Sequence, residues 1–310
     1  MKIAFVFPGQ GSQSVGMLDA WSGHAAVNVT VAQASDALGQ DLAGLIASGP
    51  AEDLNLTTNT QPAMLTAAVA IYRAWIDAGG AVPHLVAGHS LGEYSALTAA
   101  GAFTLEDAVR TVRIRADAMQ DAVPVGTGGM AAILGLDDDV VKSLCAQAAQ
   151  GEVVEAVNFN APAQVVIAGH KAAVDRACEL AKQAGAKRAL VLAVSAPFHS
   201  SLLKPASEVL EAALAGVSLA RPGISLINNV DVAIVDDPAA IKDALVRQAW
   251  HAVRWVETIQ FMKSQGITHV VECGPGKVLN GLTKRIDRDL VGLAITDPAS
   301  LQLALETLQG

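Results

Sequence analysis

Gly88-His89-Ser90-Leu91-Gly92 constrains this chain more than any other stretch of it. The five residues read as a nucleophile elbow, a strand-turn-helix corner that lifts a serine hydroxyl out of the end of a sheet. Such a corner needs both glycines: a side chain at Gly88 or Gly92 would collide with the neighbouring strand or helix, and the serine backbone is itself strained. The flanks agree. His84-Leu85-Val86-Ala87 is a short apolar run suited to a buried parallel strand, and residues 93–100 read as a helix. Gly-x-Ser-x-Gly alone is weak evidence, with a plain glycine-rich turn as the alternative. The strand before it and the helix after it favour the catalytic reading.

Strand and helix patterns alternate along nearly all 310 residues, which predicts an α/β protein with a mostly parallel sheet. A chain that is 52% hydrophobic but only 4% aromatic suits helices close-packed on such a sheet. A first strand at 2–7 enters the turn Pro8-Gly9-Gln10-Gly11-Ser12-Gln13. Helical patterning then runs to about Gly79, with one helix over 61–78, and another is expected over 105–121. Pro124-Val125-Gly126-Thr127-Gly128-Gly129 breaks the pattern.

Beyond that break the order becomes β-α-β-β-α-β, with strands at 130–136, 153–158, 164–168 and 188–194 and helices at 138–149 and 171–184. This ferredoxin-like arrangement predicts an inserted subdomain over 125–195, set into a core made of 1–124 and 196–310. The alternative is that these elements extend the main sheet. Further strands are expected at 224–228, 268–272 and 290–294.

A formal charge of −9 argues against nucleic-acid binding. No apolar run approaches the roughly 18 residues that would span a bilayer, and the N-terminus reads as a strand rather than a signal peptide. Cys145, Cys178 and Cys273 are odd in number and far apart. They suggest buried thiols in a reducing, cytoplasmic setting, with neither a disulfide framework nor a metal site.

A serine nucleophile needs a base, and there are seven histidines. His89 adjoins Ser90 on the elbow, where its side chain should point away from the hydroxyl. His84 and His269 sit at the starts of strands, the wrong end for a site at the carboxyl edge. His24 falls in a helical stretch, His170 ends a strand of the insertion, and His251 lies between two tryptophans. His199 follows the strand at 188–194 and precedes a helix near Ser200, in the kind of loop where α/β sites assemble. It is the favoured base, an ordinary hydrogen-bonded loop histidine being the alternative.

Gly9-Gln10-Gly11 also follows a strand. A dinucleotide fingerprint would need glycine at Ser14, and a phosphate loop would need Lys and Ser/Thr at Met17 and Leu18, so both nucleotide readings fail. The turn can instead bring backbone N–H groups and the Gln10 amide together with the Leu91 N–H as an oxyanion hole. Arg115 stands on the apolar stripe of its helix, near Val112 and Met119. A buried arginine must find a partner. That partner is either an acidic residue or a substrate carboxylate, which the guanidinium fork would clamp in two places.

Together these pieces resemble the malonyl-CoA:acyl carrier protein transacylase family. The resemblance covers nearly the whole chain, through Phe7-Pro8-Gly9-Gln10-Gly11-Ser12-Gln13, Gly88 to Tyr94, Asn158-Phe159-Asn160-Ala161-Pro162, Ala196-Pro197-Phe198-His199-Ser200 and Gly274-Pro275-Gly276-Lys277. It implies a hydrolase-like core with a ferredoxin-like insertion, Ser90 as nucleophile, His199 as general base, and Gln10 with the Leu91 amide as oxyanion hole. Arg115 would hold the malonyl carboxylate. A glutamine main-chain carbonyl, by local match that of Gln248, would orient the histidine. Phe198 looks like the bulky residue of malonyl-selective relatives. The substrates implied are malonyl-CoA and holo acyl carrier protein, in fatty-acid biosynthesis, with no cofactor or metal.

Both substrates carry negative charge. Lys277, Lys284 and Arg288, seven and four apart, are expected on one helical face, with Lys187 and Arg188 as a second basic pair; a solvated basic face is the alternative. A transacylase of polyketide assembly or malonate decarboxylation would share the same residues. A serine thioesterase would share the elbow but not need Arg115, and a non-catalytic scaffold would leave Ser90, His199 and Arg115 unexplained.

Overall fold

The computed structural model describes residues 1–309. The first strand, β1 (Ile3–Phe7), is buried along its whole length, and its side chains alternate between two apolar layers. Phe5 and Phe7 face a large cluster that includes Tyr72 and Trp75, whereas Ala4 and Val6 face Trp255, Ile259 and Met262. A strand buried on both faces belongs in the middle of a parallel sheet.

After β1 come α1 (Ala25–Leu38), α2 (Leu42–Ser48), α3 (Ala51–Leu54) and α4 (Thr57–Asp77), then β2 (Leu85–Gly88), α5 (Gly92–Ala99) and α6 (Leu105–Asp121). The helix expected to begin at Gln61 starts a turn earlier, at Thr57, so Pro62 is carried inside it. It lies beyond the first turn of α4, where a missing N–H costs more.

The next segment runs β3 (Gly128–Leu134), α7 (Asp138–Ala149), β4 (Val154–Ala161), β5 (Gln164–His170), α8 (Lys171–Gln183) and β6 (Arg188–Val191). These strands form an antiparallel sheet ordered β4-β5-β3-β6, with α7 and α8 packed on one face around Val141, Ile167 and Val174. The alternative that they extend the main sheet does not hold: the two sheets are separate. The chain closes with α9 (Lys204–Ala215), β7 (Ser225–Ile227), α10 (Pro238–Gln248), α11 (Trp255–Ser264), β8 (His269–Cys273), α12 (Val278–Ile286), β9 (Val291–Ile295) and α13 (Pro298–Gln309). The main sheet is parallel throughout, in the order β7-β2-β1-β8-β9. The fold is therefore α/β, a parallel hydrolase-like core joined to a ferredoxin-like sheet. Among the described residues no helix is long and apolar enough to cross a membrane. Cys145, Cys178 and Cys273 are free and buried.

Candidate active site

The register of β1 with β2 sets Phe7 beside Gly88. The turns leaving these two strands therefore lie side by side at their carboxyl ends. One is the Gly9-Gln10-Gly11 turn and the other is the elbow. Ser90 holds φ at 52°, a conformation that costs a non-glycine residue about 1–3 kcal/mol. A Cβ on Gly92 would stand 2.0 Å from the Phe7 carbonyl oxygen, and one on Gly88 would stand 1.8 Å from the Gly92 carbonyl carbon. Both positions need glycine for the reason the sequence suggested.

Three hydrogen bonds hold the strained corner. Asn229 accepts from the Ser90 N–H at 2.8 Å and donates to the Gly88 carbonyl at 2.7 Å, while Gln248 Nε2 donates to the Ser90 carbonyl at 2.9 Å. At about 0.5–1.5 kcal/mol net apiece, their sum matches the strain.

His199 is the histidine that meets Ser90, with Nε2 2.7 Å from Oγ. Its Nδ1 donates to the main-chain carbonyl of Gln248 at 2.9 Å, with the His251 carbonyl at 3.2 Å. A carbonyl only accepts, so Nδ1 carries the proton of the neutral ring and Nε2 accepts from the serine hydroxyl. Burial, then the charge of Arg115, hold the His199 pKa down at about 3 from the ordinary 6.5. The ring is neutral and ready to take a proton. His199 is itself left-handed, with φ 65°.

The route by which the sequence reached His199 needs correction. The strand expected to run to Val194 stops at Val191 and is the edge of the antiparallel sheet, not a strand of the parallel one. His199 arrives because residues 192–198 cross from that sheet to the core. His89 turns away from the serine hydroxyl, its Nε2 2.8 Å from Asn160 Oδ1 and its ring 5.5 Å from that of Trp255. His251 packs on Trp250 with ring centroids 3.9 Å apart.

Arg115, on α6, is 2% exposed. Its guanidinium donates to Gln61 Oε1 at 2.6 Å, Gln248 Oε1 at 3.0 Å and Ser90 Oγ at 3.1 Å. None of the ion pairs among the described residues includes it, so of the two alternatives the acidic partner is absent there. Its buried Nε has no hydrogen-bond partner. Burial lowers its pKa, opposed by Tyr94 and Glu93. Its Nη2 reaches the serine hydroxyl itself, with no carboxylate of the described residues on the guanidinium.

These side chains border a cavity of about 370 Å³, lined by Gln10, Ser90, Leu91, Arg115, Phe198 and His199 among others. Its opposite wall comes from the antiparallel sheet and the crossing segment, through Met130, Val166 and Val194. The Gln10 side chain is held by the Thr57 hydroxyl, which donates to its Oε1 at 2.9 Å. Gln248 lies behind the cavity, fully buried, and reaches it only through its partners.

Sequence reasoning missed Gln61, Glu93 and Asn229. Each is a polar residue in or beside an apolar run: Gln61 within Gln61-Pro62-Ala63-Met64, Glu93 ahead of Tyr94-Ser95-Ala96-Leu97, Asn229 just past β7. A buried polar group must be paired, so a polar residue on a buried face is the available signal. Glu93 is 1% exposed and accepts at Oε2 from Gln248 Nε2 at 2.9 Å and from the Asn229 N–H at 3.1 Å. Burial pushes its pKa up to about 7 against the pull of those two hydrogen bonds and of Arg115.

The basic face expected over Lys277, Lys284 and Arg288 is not one helical face. α12 spans Val278–Ile286, so Lys277 precedes it and Arg288 lies past its end, although all three are exposed. Lys284 shares the last turn with Arg285, whose guanidinium reaches the Pro162 carbonyl and Gln164.

The acyl transferase domain family matches residues 4–287, a stretch that contains every cavity-lining residue named above. This chain belongs to the acyl transferase family. Within it, the chain is 55% identical over 305 residues to the malonyl CoA-acyl carrier protein transacylase of Salmonella typhimurium, covering 98% of this chain and 99% of that protein. The crystal structure of an acyl-carrier-protein S-malonyltransferase from Burkholderia pseudomallei superposes with a TM-score of 0.97 at 69% identity, over 99% of this chain and all of that one (100%). A malonyl-transacylase in complex with its holo type II PKS acyl-carrier protein aligns with a TM-score of 0.98 at 52% identity, over 99% of this chain and 100% of that one.

Proposed function

We propose that this chain carries malonyl from malonyl-CoA to the phosphopantetheine thiol of holo acyl carrier protein, by way of a malonyl ester on Ser90. The observation that carries the reading is the position of Ser90 Oγ, 2.7 Å from the His199 Nε2 and 3.1 Å from Arg115. His199 takes the hydroxyl proton as Oγ attacks the thioester carbon, and CoA leaves with that proton on its sulfur. The carrier thiol then gives its proton to His199 and attacks the ester, and Ser90 recovers its proton as it leaves. The Leu91 N–H and Gln10 stabilise the oxyanion in each half, and Arg115 binds the malonyl carboxylate. Phe198, bordering the same cavity, disfavours a substituent on the α-carbon.

Transfer must outrun hydrolysis, which favours a cavity with apolar walls. Residues 125–195 form an inserted subdomain supplying one such wall, on a core of 1–124 and 196–310; proteolytic nicking confined to the joints near 125 and 195 checks that division. The names of the full-length relatives support transfer over hydrolysis. The carrier is that of fatty-acid synthesis. A polyketide carrier is the second reading, favoured by the likeness to a complex with such a carrier, and rates with the two holo-carriers separate them. Three buried free thiols suit the reducing cytoplasm, and fractionation of the cells tests that location.

Intact mass spectrometry after mixing with malonyl-CoA alone tests the mechanism. A malonyl adduct is expected that persists without acceptor, discharges onto holo-carrier protein and is absent from Ser90→Ala. No adduct on the unsubstituted protein would overturn the reading, and an adduct lost to water as fast as to carrier would make it a thioesterase.

A further inference from the structure

Two residues behind the cavity, Gln248 and Asn229, between them hold groups of Ser90, His199 and Arg115. Gln248 takes the His199 Nδ1–H on its main-chain oxygen at 2.9 Å and Arg115 Nη2 on its side-chain oxygen at 3.0 Å, and it gives its amide to the Ser90 carbonyl at 2.9 Å. Asn229 holds the Ser90 N–H and the Gly88 carbonyl at 2.8 and 2.7 Å. These two residues share one acceptor, Oε2 of Glu93, at 2.9 and 3.1 Å. The proposed chemistry leaves that buried carboxyl group unused.

We propose that Glu93 is a positioning residue for acyl transfer: its carboxylate sets the orientation of the Gln248 amide and offsets the charge of Arg115 without occupying the guanidinium. The inference rests on the transfer reading above.

Orientation comes first. A carboxylate only accepts, so Gln248 must turn its NH₂ toward Glu93, which leaves its oxygen for Arg115. A flipped amide would set an oxygen against the carboxylate and two donors against the guanidinium. Charge is the second effect. A buried cation needs a counter-charge, but a carboxylate bound directly to Arg115 would compete with the acyl carboxylate for the same edge. Glu93 stands one amide away, so it supplies the opposite charge without itself bonding the guanidinium. Burial pushes the Glu93 pKa up to about 7 against the hydrogen bonds from Gln248 and Asn229 and the charge of Arg115, so the charge effect is full above that pH and the acylation rates are compared at pH 8.

Glu93→Gln tests this, because it keeps size and an acceptor but removes the charge and weakens one of the three contacts that hold the Gln248 amide in its orientation. Rates of Ser90 acylation by malonyl-CoA and by acetyl-CoA, which lacks the terminal carboxylate, are followed by intact mass, with thermal unfolding as the check on folding. The malonyl rate is expected to fall about tenfold and the acetyl rate by less than about threefold, so that the preference for malonyl drops. Glu93→Asp, which keeps the charge but withdraws it by one methylene, should recover part of that preference, and it carries the test alone if Glu93→Gln does not fold, an intermediate preference then being expected. A role in folding alone would slow both substrates equally. An unchanged preference in the folded variants, with normal acylation of the unsubstituted protein, overturns the role of Glu93 only. Failure of the unsubstituted protein to take malonyl overturns the transfer reading and this inference with it.

Discussion

The imidazole of His199 leans on the main-chain oxygen of Gln248 at 2.9 Å, where a hydrolase triad would place a carboxylate. A carbonyl selects the tautomer and aims the ring, but it stabilises the imidazolium less than an aspartate does. A thioester is an activated acyl donor, so the weaker base suffices for it. The carbonyl is also backbone, so no substitution at Gln248 short of moving the chain removes it.

The depressed His199 pKa gives a first prediction. With a value of about 3 against 6.5 for an ordinary histidine, the ring should stay neutral from pH 5 to 8, and its NMR resonance should not titrate there. The unfolded chain takes up this proton first as pH falls. The stability His199 contributes is therefore fully present above about 6.5 and is lost as pH drops toward 3. A resonance titrating near neutrality would contradict the burial argument.

Arg115→Lys replaces a fork with a point charge on a flexible stem. Acylation by malonyl-CoA should slow by about a hundredfold while acylation by acetyl-CoA changes little, since only malonyl has a carboxylate to lose. Equal losses for the two substrates would remove Arg115 from specificity.

Phe198 is half-buried in the cavity wall beside His199. Trimming it with Phe198→Leu should raise the methylmalonyl-to-malonyl rate ratio by about tenfold, in line with the roughly 1–3 kcal/mol that one methylene is worth in a pocket. A ratio that stays put in competition assays would mean that another residue meets the α-carbon.

Gly92→Ala would press a methyl to 2.0 Å from the Phe7 carbonyl oxygen, which is backbone at the centre of the sheet. A loss of more than about 3 kcal/mol in denaturant unfolding is expected, since neither strand nor helix can retreat. Near-normal stability would show the corner to be softer than its packing.

Lys187 and Arg188 are exposed on the antiparallel sheet, and Lys277, Lys284 and Arg288 are exposed around α12. Charge reversal at either group should raise KM for the carrier protein at low salt, with kcat kept, and the difference should fade as salt screens it. An unchanged KM at both groups would place docking elsewhere.

Much of the fold was legible because local signals carry it. The helices at Leu105–Asp121 and Asp138–Ala149 match expectation at both ends. The first has a threonine cap, Thr104 Oγ1 accepting from the Asp107 N–H at 3.1 Å, and both have acidic first turns. Strand ends were harder. β6 is a half-exposed edge, so the apolar run to Val194 outlasts its pairing.

The sequence by itself determined the elbow, the alternation of strand and helix, and the residue types that chemistry requires. Glycines at 88 and 92 leave one backbone path, and an arginine on an apolar stripe demands a partner. Only the tertiary structure decided which groups meet. Ser90 and His199 are 109 positions apart and Ser90 and Gln248 are 158 apart, and no local pattern encodes such distances. The Glu93–Gln248–Arg115 chain was invisible for the same reason. A polar side chain in an apolar run announces that it will be paired, but its partner is chosen by how the sheets and helices pack.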